Sequence, residues 1–449
     1  MILLWTDTLI LLLLLALISL SCYYRKKAHI QRPLNKIARN NVGMVSLVIL
    51  VFYVLIGLMD SIHFKSTQGN GNEIISLLDY FAAPLKGHNE KTYSAPFATT
   101  LYAKEMVSVD GSSSWDYPRL DFGGKHLTNP DEEKLPDILQ KTGVGALIGT
   151  IIYVSVLALG IIFRYLYTKT IPKVEIKNPI VITSFVIITV STTLVYLSLY
   201  YHVFGTDKVG EDVFYQAVKS IRTGLVIGTL TTLIMLPLAI LFGILAGFFR
   251  GWVDDVIQYL YTTLNSIPGV LLIAASILMV QVYMANHEDQ FTSVIVRADM
   301  RLLFLCLILG VTSWTGLCRL LRAETLKLRE MEYVQAAYAL GVKQHSILLN
   351  HILPNVMHIV LISVVLDFSS LVLAEAVLSY INIGVDPTTY SWGNMINGAR
   401  LEMAREPVVW WSLTAAFVFM FALVLAANLF ADVVQDAFDP KSAANEKVG

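Results

Sequence analysis

Nine runs of predominantly apolar residues, most near the length of a membrane crossing, punctuate this sequence, and they restrict it more than any other feature. A helix needs about 20 such residues to cross the hydrocarbon core of a bilayer. Backbone amides inside lipid find no water, so each run must satisfy its own hydrogen bonds as a helix. The runs are Ile2 to Cys22, Val42 to Met59, Val144 to Tyr167, Ile180 to Tyr201, Thr223 to Phe249, Pro268 to Met284, Leu302 to Leu321, Val356 to Ile381 and Val408 to Phe430. The composition agrees: 55% of the 449 residues are hydrophobic and only 15% are charged. The expected fold class is therefore an all-α polytopic membrane protein.

Lysine and arginine in short loops favour the cytoplasmic side of a membrane. Between the first two runs, Arg25, Lys26, Lys27, Arg32, Lys36 and Arg39 occur without a single acidic residue. Lys169, Lys173 and Lys177 follow on the same side, then Arg250, then Arg319, Arg322, Lys327, Arg329 and Lys343, and finally Lys441 and Lys447. This alternation predicts an N-terminus outside and a C-terminus in the cytoplasm. The first run has its basic cluster after it, the reverse of a cleaved signal peptide, so an uncleaved anchor is expected.

Several function classes drop out. A formal net charge of -1 offers no basic excess for nucleic acid. Cys22, Cys306 and Cys318 lie in or beside apolar runs with neither CxxC spacing nor a nearby histidine, so no disulfide framework or zinc site is expected. His351 and His358 can share a helix face but lack a carboxylate in a metal-ligand pattern. No G-x-x-x-x-G-K-[ST] string is present, so any ATP that drives this chain must bind to another polypeptide. No nucleophile, acid pair or metal cluster stands out, and no catalytic residue is assigned. Residues 60–143 form a polar stretch with scattered aromatics, such as Tyr93, Tyr102 and Trp115, and read as a small extracytoplasmic domain. It serves either as a contact surface for a soluble protein or as a loop that merely packs.

The stretch from Arg322 to Val356 is too polar to cross lipid, yet its apolar residues recur at helical spacing. Gly341 is placed to end one short helix after the small pair Ala336 and Ala337, and Pro354 to open the next span. Helix, glycine turn, helix and proline make a protruding knuckle whose small residues allow close approach to another protein.

Gln335-Ala336-Ala337, then Gly341, then Pro354 resembles the coupling-loop motif of ABC importer permeases, commonly E-A-A-x-x-x-G followed by L-P. Glu332, Tyr333 and the string through Ala339-Leu340-Gly341, with His351-x-Leu353-Pro354-Asn355, is similar to the dipeptide, oligopeptide and nickel branch. Phe204-Gly205-Thr206-Asp207-x-x-Gly210-x-Asp212, followed by Arg222 and Gly228, resembles the extracytoplasmic segment before a core span. Asp254, Pro268, Leu373-x-Glu375-Ala376-x-Leu378-Ser379, Gly384, Ser391-Trp392-Gly393, Asn428, Asp432 and Asp436-Ala437-x-Asp439-Pro440 extend the match. Gln335 stands where the general motif has glutamate. Asn382-Ile383-Gly384 and Pro407-Val408 also depart from the family pattern, which weakens any transfer of substrate identity.

The resemblance implies a six-helix permease core plus about three extra transmembrane helices and a small extracytoplasmic domain. It divides the chain into an anchor and basic loop (1–41), a first core span (42–59), the outer domain (60–143) and an inserted pair of helices (144–202). The core (203–440) then contains the coupling loop (322–355), and a cytoplasmic tail (441–449) ends the sequence. It further implies a bacterial inner-membrane subunit, itself no enzyme, that imports peptides together with a second permease, two ATPase subunits and an extracytoplasmic solute-binding protein. ATP and Mg²⁺ would sit on the partner ATPases, and this chain would bind no cofactor or metal.

Asp367 and Glu375 fall in one span, eight residues apart and hence near one helical face. Ionised groups at such depth face a bundle interior or water. Either they line a peptide path or they pair within the bundle, and Asp367 stands where the family has a small residue. Two rival readings are a proton-driven transporter using these carboxylates as relays, and a membrane scaffold or sensor.

Overall fold

The computed structural model describes residues 4–24, 28–65, 74–109, 112–168, 178–287 and 293–438. Arg25, Lys26, Lys27, Lys169, Lys173, Lys177 and the tail with Asp439, Pro440, Lys441 and Lys447 lie outside the described residues, as does the Cys22 side chain. Helix dominates. α1 (Trp5–Tyr24) and the amphipathic α2 (Ala28–Arg39) precede α3 (Asn41–Ser61). The following polar segment holds two antiparallel hairpins, β1 (His63–Lys65) with β2 (Ile74–Ser76), and β3 (Glu105–Val109) with β4 (Ser112–Asp116). Two short helices, α4 (Leu77–Phe81) and α5 (Ala83–Gly87), lie between them. The first is fixed by a capping box in which Ser76 and Asp79 exchange side chain and backbone bonds.

The long helices follow: α6 (Pro130–Thr168), α7 (Pro179–Ser198), α8 (Val213–Phe249), α9 (Trp252–Ser266), α10 (Gly269–Asn286), α11 (Val294–Ser313) and α12 (Thr315–Arg329). The short α13 (Glu332–Ala339) and α14 (Gln344–Ile347) lead through a π-helical turn, Leu348–Ile352, into α15 (Leu353–Tyr380). α16 (Trp392–Glu402) and α17 (Trp411–Phe438) complete the order.

Among the described residues, seven helical stretches are long and apolar enough to cross a membrane: α3, α6, α7, α8, α10, the continuous helix Gln344–Tyr380 and α17. Two expected spans are drawn differently. Ile2 to Cys22 coincides with α1, whose apolar run is Trp5–Ala16. Leu302 to Leu321 is divided between α11 and α12 at Trp314, where ψ of -18° interrupts the ladder for one residue.

Helix boundaries also differ from the hydropathy reading, because polar turns extend apolar ones. α6 begins at Pro130, not at Val144: Pro130 pre-sets the first turn, and Asp131, Glu132 and Glu133 complement its dipole. α8 begins at Val213 rather than Thr223, capped by Asp212, so Arg222 lies inside the helix. Pro354 stands in the first turn of α15, as expected, although helix of another pitch already runs into it from Gln344. The π turn absorbs the proline: Leu353 N–H reaches back to the Leu348 carbonyl, one residue further than in an α-helix.

The chain forms two compact units. Among the described residues, one draws on 44–222 and 390–423, the other on 4–43, 223–389 and 424–438. In the first, α6 and α7 pack as a hairpin at close range. A Cβ on Gly149 would stand 2.8 Å from the Thr189 Cα, and one on Gly145 2.9 Å from the Thr193 Cα. In the second, Met235, Ala239, Phe248, Ile257, Leu321, Leu328, Val334, Ile347 and Val356 build a buried core from α8, α9, α12 and the knuckle to the start of α15.

Candidate functional site

The knuckle has the form its sequence predicts. α13 ends in a Schellman turn: Gly341 takes φ of +75°, Gly341 N–H donates to the Tyr338 carbonyl and Val342 N–H to the Ala337 carbonyl. Of the motif side chains, Ala337 is buried with Val334 and Ile347, which pin the knuckle to its core. Glu332, Tyr333, Gln335 and Ala336 point outward. So do Met331, Tyr338 and Leu340, the last 83% exposed, which leaves an apolar tip with no cover in this chain among the described residues. Isolated exposed apolar residues are ordinary, but Tyr338 and Leu340, side by side at the glycine turn with Met331 at the other end of α13, make a candidate contact surface.

That tip is braced from below. Arg322 grips Asp254 of α9 through two bonds, Nε to Oδ1 at 2.6 Å and a terminal nitrogen to Oδ2 at 2.7 Å. Bidentate pairing fixes direction as well as distance. The guanidinium beside Asp254 holds its carboxyl below the usual range. Arg329 donates to the Phe248 carbonyl at 2.7 Å, satisfying the C-terminal end of α8, and Arg250 pairs with Glu330. Gln335 donates to the Arg329 carbonyl at 3.0 Å, and Asn355 donates to the Tyr333 hydroxyl at 3.1 Å. α13 is thus joined by directional contacts to α12 and α15, and α12 in turn to α8 and α9.

The Gly205 to Asp212 motif lies at the foot of α8 and serves as an anchor. Gly205 and Gly210 take φ of +70° and +80°. Thr206 accepts from Ser94 N–H at 2.7 Å, donates its hydroxyl to the Thr92 carbonyl at 2.8 Å and offers its own carbonyl to the Trp411 indole at 2.8 Å. Asp207 accepts from the amides of Val209 and Glu211 and from Gln216. Asp212 caps α8 through Tyr215 N–H and, with its other oxygen, meets His202 Nδ1 at 2.7 Å.

His202 and its second carboxylate were not singled out by sequence. Glu90 reaches His202 Nε2 at 3.3 Å and accepts from the amides of Asp121, Phe122 and Gly123. Burial alone would push His202 down, yet the hydrogen bonds to Asp212 and Glu90 outweigh it and hold it up at about 9. Burial likewise opposes an ionised Glu90, but His202 and the three amides hold it at about 2. A second network joins Lys219 to Asp79 and, at 3.7 Å, to Asp60, with Tyr215 donating to Asp79 at 2.8 Å. No local motif announces such pairs, because their members are more than a hundred positions apart.

The remaining expected residues do not converge on one pocket. Arg222 is half-buried within α8. Glu375 is buried in α15 and accepts from the Ser379 hydroxyl at 2.7 Å. Asp367 is half-buried two turns earlier. His351 lies against Tyr333, and His358 meets the Asn355 carbonyl at 2.8 Å. Among the described residues, no group of three or more histidine, cysteine or acidic side chains is arranged to hold a metal ion.

Residues 239–443, which contain this braced knuckle, match the family model of the binding-protein-dependent transport system inner membrane component. Similar chains include the dipeptide transport system permease protein DppC of Lactococcus lactis, 31% identical, and the glutathione transport system permease protein GsiD of Pectobacterium atrosepticum, 30% identical. The chain belongs to the binding-protein-dependent transport inner membrane component family. Each match takes in 54% of this permease, with 64% of the lactococcal protein and 73% of the Pectobacterium one. The oligopeptide transport system permease protein OppC of Haemophilus influenzae is 29% identical over 54% of this permease and 71% of its own length. This permease is accordingly a multi-pass inner-membrane component. Residues 1–238, with α1 to α7, lie outside the family model.

Proposed function

We propose that this permease is the transmembrane subunit of an ATP-driven importer of peptides, working with a second permease, two ATPase subunits and an extracytoplasmic solute-binding protein. The observation that carries the reading is the knuckle: an exposed apolar tip on a glycine turn, tied to α9 by the Arg322–Asp254 ion pair and to α8 and α15 by hydrogen bonds. In this reading Tyr338, Leu340, Ala336 and Gln335 seat in a cleft of an ATPase subunit on the cytoplasmic side. ATP and Mg²⁺ sit on that partner, and this subunit performs no catalysis. Nucleotide binding moves the knuckle, and α8 and α15 tilt with it, which requires that ATP favour one conformer over the other. The names of the relatives support peptides as cargo. Their shared family does not favour a proton-driven carrier or a scaffold. The distribution of basic residues among the loops supports a cytoplasmic knuckle, an N-terminus outside and a C-terminus inside.

Ala337 is unsuited to testing this, because its side chain is buried and a charge there would unfold the knuckle. Leu340→Asp and Ala336→Asp alter only the tip. Mild-detergent purification of the tagged native complex should recover ATPase-type chains and a second permease with wild type. Either variant should lower that recovery at least tenfold, since truncating a central interface anchor costs about 2 kcal/mol or more. Equal recovery with both variants would overturn the docking assignment.

A further inference from the structure

Within α15, an otherwise apolar stretch, Ser363, Asp367 and Ser370 recur at i, i+4 and i+7 and so form one polar line along the helix. The line leaves the packed side of the helix as it proceeds: Ser363 is buried, Asp367 half-buried and Ser370 exposed. Beside it lie Leu366, Leu373 and Val377, all exposed, while Phe368 on the other flank packs against Gly228 of α8. Glu375 in the same helix has its carboxylate engaged by Ser379. Asp367 differs. Among the described residues no side chain donates to its carboxylate, and the one side chain that hydrogen-bonds to the residue at all, the Ser370 hydroxyl, does so at the backbone carbonyl, at 2.8 Å.

A carboxylate in an apolar span cannot face lipid without a penalty of several kcal/mol, so this line must be covered by water, by a cation or by a polar group of another subunit. A buried hydroxyl on one side of it and an exposed hydroxyl on the other extend the polar line along the helix, as a path requires and a single inter-chain ion pair does not. We propose that Asp367 is a cation-recognising residue on the transport path, meeting the ammonium group of the passing solute. The inference rests on the importer reading, under which that group is the amino terminus of a peptide.

Two measurements on the whole transporter separate the possibilities. In a variant with Cys22, Cys306 and Cys318 replaced, Asp367→Cys should react with a water-soluble cationic thiosulfonate, and trialanine should slow that reaction at least tenfold. In an otherwise wild-type complex, Asp367→Asn should lower trialanine uptake at least tenfold, while Asp367→Glu retains most of it and both keep wild-type ATPase recovery. Failure to label, or labelling without protection in a complex that transports trialanine, overturns the proposal. A fall in ATPase recovery that matches the fall in uptake also overturns it, in favour of pairing with the second permease. A wild-type complex that hydrolyses ATP yet takes up no trialanine overturns the peptide reading itself and the substrate assignment with it, whereas labelling would still report a water-facing position.

Discussion

Two glycines with nearly the same backbone angle show how context sets the importance of a residue. Gly341 and Gly210 take φ of +75° and +80°. Nothing lies within 4 Å of a Cβ built on Gly341, so Gly341→Ala should cost only the left-handed backbone term, about 1 kcal/mol. On Gly210 the same Cβ would fall 1.8 Å from the Glu90 carbonyl oxygen, which is backbone and cannot turn away. Gly210→Ala should therefore add an overpacking cost of about 1–3 kcal/mol or more and lower the thermal midpoint in detergent well beyond Gly341→Ala. Similar midpoints would mean that the 210 loop relaxes freely. Adjacent to it, the His202 cluster predicts a definite pH response. His202 is raised from 6.5 to about 9, so its stabilisation is complete below pH 6.5 and is lost as pH rises through about 9. Glu90 is lowered from 4.5 to about 2, so its share is complete above pH 4.5 and is lost as pH falls through about 2. Stability should peak between those limits, with an alkaline loss of about 3 kcal/mol for the histidine shift. His202→Phe should flatten the alkaline limb of the melting profile, and an unchanged limb would assign it to other groups.

At the level of elements, the α6–α7 hairpin and the knuckle are held by opposite means. In the apolar windows of α6 and α7 only 11% and 6% of residues are buried, so most of both helices faces outward and their mutual contact rests on a narrow seam. Small residues make that seam because lipid supplies no hydrophobic drive between helices and only close backbone approach gains dispersion. Gly149→Val should part the pair, and an engineered disulfide between positions 145 and 193 should then form at least several-fold more slowly. An unchanged rate would show that other contacts carry the hairpin. The knuckle, by contrast, depends on direction. Arg322→Lys keeps the charge but not the bidentate geometry on Asp254, so it should loosen α12 against α9 and speed amide exchange across α13 without removing the permease from the membrane.

For the whole molecule the open quantity is orientation. Ser113 lies in the β3–β4 hairpin and Lys343 at the knuckle, and both are exposed. With native cysteines replaced, Ser113→Cys should react with a membrane-impermeant thiol reagent in intact cells, and Lys343→Cys only after permeabilisation. The reverse pattern would invert the topology drawn from the basic loops and would place the knuckle out of reach of any cytoplasmic ATPase.

The sequence by itself determined the class, most of the spans and the shape of the knuckle, because each depends on local physics. Apolar length forces a helix in lipid, and Gly341 both permits and marks a left-handed turn. Polar extensions of apolar helices were less legible: hydropathy reports where lipid would be, whereas the caps at Pro130 and Asp212 decide where helix begins. Pro354 reads as a helix start, and only the neighbouring π turn shows how a continuous helix accommodates it. Tertiary structure alone decided the partners. Glu90 with His202, Lys219 with Asp79 and Arg322 with Asp254 are joined across long separations. Asp367 has no such partner among the described residues. A charge in sequence states only that it must be compensated; the fold decides by what.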